Sequence, residues 1–417
     1  MEKDASLLKK DAFAAMRLKD FRLYTGMRMC FTFAAQLQTT VIGFYIYQLT
    51  HSTVAIAFIG LSEIVPALGL ALYGGYIADK YEKRKMLLWA CSGFIFTSAV
   101  IFIVTLHGMA GYFPVSRLLP VIYSMLFLNG IARAFYEPAM FAVFARSAAG
   151  EFSSNASGWN TLSWQTAGII GPMAGGLIYA LAGRDGISMT YVVLIGLLVI
   201  SLALTFRLKK YPAVFIPREG VRKSISAGLR WVFGHPLMFY TMSLDLFCVL
   251  FGGVPALLPV FAIDILKVGA AGLGIMRMVQ ASGAALTVLM LVRLSPMGRP
   301  WRNLLIAVSG FGCCIIGFGL SHNYPLSLLF LFLQGAFDSV SVVIRSALMQ
   351  QLTPKEMQGR VSAVNSMFVG SSAEIGDFES GMAAKWLGTV PAVIFGGGMT
   401  LLIVAFTFFR TRKKLYL

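Results

Sequence analysis

The chain is 417 residues long, 57% hydrophobic and only 13% charged, with a mean hydropathy of +0.75. Soluble domains carry roughly a quarter of their residues as charges, so this composition excludes a soluble fold and points to a bilayer. The apolar stretches are continuous rather than alternating, which excludes a β-barrel and leaves membrane helices.

The tail 1–21, MEKDASLLKKDAFAAMRLKDF, is too charged to read as a cleaved signal peptide. Twelve apolar runs long enough to cross a bilayer as helices follow. They lie near 22–49, 54–78, 86–106, 119–145, 158–182, 189–207, 236–262, 271–292, 303–320, 326–350, 361–387 and 391–409. The polar linker 208–235, its second part suited to an amphipathic surface helix, divides them into bundles at 22–207 and 236–410. A short tail, 411–417, closes the chain. The expected fold is all-α integral membrane, with twelve transmembrane helices in two pseudo-symmetric six-helix bundles. A faint repeat supports duplication. Phe127–Gly130 reads FLNG and Phe332–Gly335 reads FLQG; the same offset of 205 takes Asn160 to Asn365, Gly171 to Gly376 and Gly176 to Gly381.

With a cytoplasmic N-terminus, 27 of the 35 Lys and Arg residues fall on the inner side. Only Arg117, Arg184, Lys267 and Lys385 fall on the outer side. This asymmetry predicts a cell (inner, cytoplasmic) membrane protein with both termini in the cytoplasm. It also accounts for the net charge of +17 without a nucleic-acid partner. The five cysteines lie in apolar segments without a CxxC pair and read as core residues; the four histidines are scattered, so no metal site is expected.

Between the second and third runs, GGYIADKYEKRKMLL gathers Asp79, Lys80, Glu82, Lys83, Arg84 and Lys85. The lysines serve as inside anchors. Gly75 and Asp79 ask for more: a glycine permits close helix contact, and a carboxylate at a helix end accepts from a neighbouring helix N-terminus. The stretch resembles the loop signature of the major facilitator superfamily, G-x-x-x-D-[RK]-x-G-[RK]-[RK], with Glu82 where the pattern has glycine. Its ADKYEKRK variant is similar to the subgroup containing an enterobactin exporter and macrolide-efflux-type proton antiporters. GIARAFYEPA, GIIGPMAGG and LTPKEMQGRVSAVNSMF agree, so the resemblance covers nearly the whole chain. It implies a cytoplasmic gate loop of Gly75, Asp79 and Arg84, with Asp79 facing Gly359 and Arg360. It also matches Gly171, Pro172, Gly175 and Gly176 to the antiporter motif of span five, a helix-packing device. The second half's loop, SPMGRPWR, lacks the aspartate, so a one-sided latch is expected.

Seven acids fall inside spans: Glu63, Glu137, Asp245, Asp338, Glu374, Asp377 and Glu379. Each ionised group at the bilayer centre costs about 2.5–3.5 kcal/mol, so each must be paired, protonated, near an interface or beside a wet passage. Arg28, Arg133, Arg277 and Arg345 share the spans. Arg133 and Glu137 sit one helical turn apart and can pair, while the offset of 205 aligns Arg133 with Asp338. Glu374 and Asp377 share a helix face and lead the proton-coupling candidates, followed by Glu63, Glu137, Asp338 and Glu379. Arg28, Arg133, Arg345 and Asp245 are candidates for a substrate cavity or for charge pairs, Arg28 and Arg345 as attractors of an anionic solute. Phe31, Tyr45, Trp164 and Phe368 are candidate cavity aromatics.

No G-x-x-x-x-G-K-[ST] phosphate loop occurs, so the proton gradient is the expected energy source, with no cofactor. The expected function is proton-coupled antiport by alternating access, exporting an amphipathic organic solute. By resemblance that solute is a siderophore-like metabolite or a drug, carried by a monomer that is not an enzyme. An importer or a lysolipid or lipid flippase of the same fold stays open as an alternative. A membrane-embedded enzyme or scaffold fits less well, because the charges are spread over spans of both halves.

Overall fold

The computed structural model describes residues 13–106, 114–147, 153–210, 229–291, 298–354 and 357–411. The side chains of Leu72, Ala78, Asp79, Ser153 and Ser154 are excepted, as are those between 358 and 371 other than Val361, Val364, Asn365 and Gly370. The expectations for Asp79, Gly359, Arg360 and Phe368 therefore lie outside the described residues.

In hydrocarbon each backbone N–H and C=O must find its partner within the chain, and a helix supplies that partner four residues away. Each of the twelve apolar runs is accordingly helical. The first six are α1 (Lys19–Thr50), α2 (Thr53–Lys80), α3 (Lys83–Thr105), α4 (Val115–Ser147), α5 (Ser153–Ala182) and α6 (Gly186–Arg207). The seventh run is interrupted: α7 (Pro236–Phe251) stops at Gly252–Gly253, α8 (Val254–Val260) restarts it, and a π turn, Phe261–Ile265, ends it. Then come α9 (Gly269–Leu291), α10 (Pro300–Leu320), α11 (Tyr324–Leu352), α12 (Gln358–Leu387) and α13 (Thr389–Thr411). Gly388 joins the last two at φ +89°, a conformation open to glycine at little cost.

Among the described residues no strand occurs, and ten stretches are long and apolar enough to cross a membrane. One of these, Asn155–Arg207, contains both α5 and α6. The helix α12 is not among them; it carries Glu374, Asp377 and Glu379 within two turns. Of the linker 208–235, residues 229–234 are helical and 211–228 lie outside the described residues.

The helices assemble into two compact units. One comprises Met1–Ile42 with Ser62–Pro217, the other Gly43–Leu61 with Arg218–Leu417. The end of α1 and the start of α2 thus group with the second unit, which the position of the linker does not suggest. The first unit packs Phe21, Tyr24, Met27, Leu87, Ala90, Tyr136, Ala139 and Val143 into its core. The second buries Leu244, Cys248, Trp301, Leu304, Ile344 and Val404, and the Trp301 Nε1 donates to Thr411 Oγ1 at 3.2 Å. Cysteines 91, 248 and 314 are buried as core residues, whereas Cys313 is exposed on α10.

Helices in lipid associate through close van der Waals contact, which small residues permit. Glycines at the offset of 205 make equivalent contacts in the two halves. A Cβ at Gly130 on α4 would collide with the Glu63 carbonyl oxygen on α2, and one at Gly335 on α11 with the Gln280 carbonyl oxygen on α9. Gly171 on α5 meets α1, where its Cβ would lie 2.7 Å from Gln36 Cβ; Gly376 on α12 meets α7, 2.7 Å from the Leu250 carbonyl oxygen. The α4–α2 and α5–α1 contacts recur as α11–α9 and α12–α7. The duplication seen in the sequence is thus a duplication of contacts.

Candidate functional site

In the first unit Arg133 is held between two acids. Its Nε donates to Glu137 Oε1 at 2.9 Å, one turn along α4, and its Nη1 lies 4.0 Å from Glu63 Oε2 on α2. The second contact depends on the glycine approach at Gly130, which brings the α2 backbone against α4 directly beside Glu63. The three side chains are 25% (Glu63), 41% (Arg133) and 58% (Glu137) exposed, so the triad is not a sealed core pair.

In the second unit the charges lie deeper. Arg345 on α11 forms an ion pair through Nη1 with Asp245 Oδ1 on α7, and these side chains are only 15% and 8% exposed. The Arg345 Nε also donates to the Ser341 carbonyl oxygen at 3.3 Å. On α12, Asp377 interacts electrostatically with Glu374, three residues before it, and with Arg277 on α9. The Arg277 Nη2 donates at 3.3 Å to the Pro255 carbonyl oxygen, just past the break between α7 and α8. Asp377 is therefore within electrostatic reach of a second acid and of a guanidinium anchored beside an interrupted helix. Gly60 approaches the same acids, since a Cβ there would lie 3.2 Å from Glu374 Oε2. Asp338 on α11 acts electrostatically on Cys248 of α7, and Glu379 accepts from Ser380 Oγ at 3.3 Å.

Sequence reasoning paired Arg133 with Glu137 and placed Glu374 with Asp377, because each pair shares one helix face. It did not supply Glu63 for Arg133 or Asp245 for Arg345, which are contacts between helices, nor Arg277 within electrostatic reach of Asp377. The break in the seventh span went unread although its signal, FGGVP at 251–255, stands in the sequence. Of the cavity aromatics, Phe31 and Tyr45 are half-buried, whereas Trp164 is 51% exposed.

The charged loop differs from expectation in two respects. Close helix contact was expected of Gly75, but a Cβ at Gly75 would meet nothing within 4 Å among the described residues. The contact belongs to its neighbour Gly74, where a Cβ would collide with the Ala134 carbonyl oxygen on α4. Consecutive helical residues point about 100° apart, so only one of the two can face α4. Arg84 donates from Nη1 to the Leu208 carbonyl oxygen at 2.9 Å, capping the C-terminal end of α6 with a positive charge. The span-five motif acts in packing: Gly171 and Gly175 of α5 pack against α1, Gly175 with its Cβ position 3.1 Å from Leu37, while Pro172 and Gly176 are buried.

Twelve helical runs in two halves with repeated contacts, ten of the described stretches being long and apolar enough to cross a membrane, define a multi-pass helical membrane protein. The chain belongs to the Major Facilitator Superfamily, whose family model matches residues 24–376. Among curated relatives, the enterobactin exporter EntS of Shigella boydii serotype 18 is 28% identical over 321 residues, 76% of this chain and 74% of that protein. The same exporter of Escherichia coli O81 is similar to the same extent. Among solved structures, a bacterial homolog of the human lysosomal transporter Spinster gives a TM-score of 0.72 at 14% identity, over 97% of this chain and 98% of that one. A D-xylose-proton symporter gives 0.70 at 14% identity, over 95% and 97%. At these identities the structures establish the fold.

Proposed function

We propose that this transporter is a proton-coupled antiporter that exports an amphipathic organic solute across the cell membrane by alternating access, acting as a monomer with both termini in the cytoplasm. The observation carrying the reading is that each unit gathers two acids and one arginine: Glu63 and Glu137 paired with Arg133 in the first, and Asp377 within electrostatic reach of both Glu374 and Arg277 in the second. A carboxylate that meets an arginine in one conformation and leaves it in another changes its proton affinity, which is how a proton is loaded and released. One proton moving down one pH unit supplies about 1.4 kcal/mol, and each 100 mV about 2.3 kcal/mol. Ordinary gradients thus sustain about a thousandfold solute gradient per proton. Outward direction and a siderophore-like solute are supported by the exporters to which the chain is similar. The excess of basic residues at one set of helix ends supports the orientation.

Transport assays in proteoliposomes with an imposed pH gradient, run against siderophores, drugs and lysolipids, test this. The reading predicts uptake into inside-out vesicles that stops when the gradient is dissipated. Uptake unchanged by that treatment would remove proton coupling.

A further inference from the structure

Two of the four arginines within spans are ion-paired, Arg133 with Glu63 and Glu137 and Arg345 with Asp245, while Arg277, whose Nε is buried without a bond among the described residues, lies within electrostatic reach of Asp377. Arg28 is the exception among the described residues. On α1, inside the first unit, its Nη1 donates to the Tyr24 hydroxyl at 3.3 Å, and that hydroxyl reaches Asn160 Oδ1 on α5 at 3.4 Å. Its Nε is buried with no acceptor among the described residues. Tyr136 on α4 lies within the electrostatic reach of Arg28 and is 2% exposed, and its hydroxyl is likewise buried and unpartnered. Two buried donors on two helices, one of them a full positive charge, are therefore unmatched in one neighbourhood. An unpaired guanidinium and an unmade hydroxyl bond each carry a desolvation cost that an anion would remove.

The walls of this neighbourhood are aromatic. The Phe31 ring, one turn after Arg28, stacks on Tyr136 at 3.9 Å between centroids, and Phe94 meets Phe31 edge-on at 4.9 Å. Tyr24 packs against Phe144 at 5.6 Å. Glu137, the acid next to Tyr136, also reaches this neighbourhood electrostatically and is engaged by Arg133 Nε at 2.9 Å.

We propose that Arg28 and Tyr136, with Tyr24 as the brace of the guanidinium, form the anion subsite of the transported solute, which carries an acidic group beside an aromatic body. This inference rests on the transport reading and adds a substrate class to it. The acid of the solute takes the free guanidinium N–H and the Tyr136 O–H, and its ring lies against Phe31 and Phe94. Arginine suits the role because its planar fork can hold a carboxylate with two N–H groups while Tyr24 keeps a third.

Equilibrium binding of radiolabelled salicylate to the purified full-length protein in nanodiscs tests this, with the neutral analogue salicylamide as control. No gradient is present, so the result is independent of proton coupling. The proposal expects saturable salicylate binding at least about tenfold tighter than that of salicylamide. Arg28→Gln should weaken it about tenfold or more, and Arg28→Lys, which keeps the charge without the fork, by less. Tyr136→Phe should weaken it about three- to tenfold while leaving the unfolding midpoint unchanged or higher, because the deleted hydroxyl has no protein partner. Equal binding of the two probes, no saturable binding, or unchanged affinity in Arg28→Gln would overturn the proposal. So would Tyr136→Phe that lowers the unfolding midpoint and leaves affinity intact, since the hydroxyl would then be structural and served by water.

Discussion

Replacing Asp245 with Asn leaves Arg345, only 15% exposed, without its carboxylate partner. Removing one member of a buried ion pair costs about 3–5 kcal/mol. Insertion scales independently give about 2.5–3.5 kcal/mol for an unanswered charge at bilayer depth. The two agree near about 3 kcal/mol, a change of roughly a hundredfold in the folded-to-unfolded ratio. Arg345→Gln should cost a similar amount, because Asp245, at 8% exposure, is buried even more deeply. The double replacement Asp245→Leu with Arg345→Met should recover most of both losses, since an apolar pair of similar volume removes both desolvation penalties. Unfolding by SDS in mixed micelles, followed by helical circular dichroism, measures all three variants against the unmodified protein. A wild-type midpoint in Asp245→Asn, or a double variant no better than either single one, would refute the reasoning. A stable double variant also separates folding from function: it should insert normally and transport poorly if the pair opens during the cycle.

Other expectations follow from the same contacts. Glu374→Gln and Asp377→Asn should each insert and bind solute yet lose gradient-driven transport, as proteoliposome uptake would show; full activity in both would take these acids out of the proton path. Gly74→Ala should yield little monodisperse protein on size exclusion, because its methyl group meets the Ala134 carbonyl oxygen, whereas Gly75→Ala should be recovered normally. Arg84→Ala should lower the unfolding midpoint by the loss of a charged hydrogen bond to the Leu208 carbonyl oxygen, about 1.5–3 kcal/mol, and Arg84→Lys should restore part of it. Asp79→Asn should raise labelling of cysteines introduced at the cytoplasmic side if the loop acts as a gate.

What the sequence made legible follows the range over which sequence spacing carries meaning. Apolar runs and their polar ends predict helices because each span satisfies its own backbone, so the twelve segments were readable one by one. Same-face pairs such as Arg133–Glu137 were readable from helical period alone. The pairing of Asp245 with Arg345 joins residues 100 positions apart, and the electrostatic influence between Arg277 and Asp377 spans the same separation; no local period encodes either. The offset of 205 did bring out the repeated glycines, but it aligned Arg133 with Asp338, whereas the acids found on Arg133 are Glu63 and Glu137 of its own unit. Gly74 and Gly75 show the finest limit. Motif matching selected the second, while one step of 100° around the helix gives the close contact to the first. The isolation of Arg28 was invisible for the same reason: it is defined by which helices bring no acid to it.

The central claim is that protons move through the acids of the two arginine clusters as solute crosses. Measuring it directly requires proteoliposomes holding a pH-sensitive dye, to which the solute identified by the transport panel is added with the membrane potential clamped. The account predicts a solute-triggered proton flux opposite in direction to the solute, absent in Asp377→Asn. Solute crossing at the wild-type rate with no change in dye signal would contradict it.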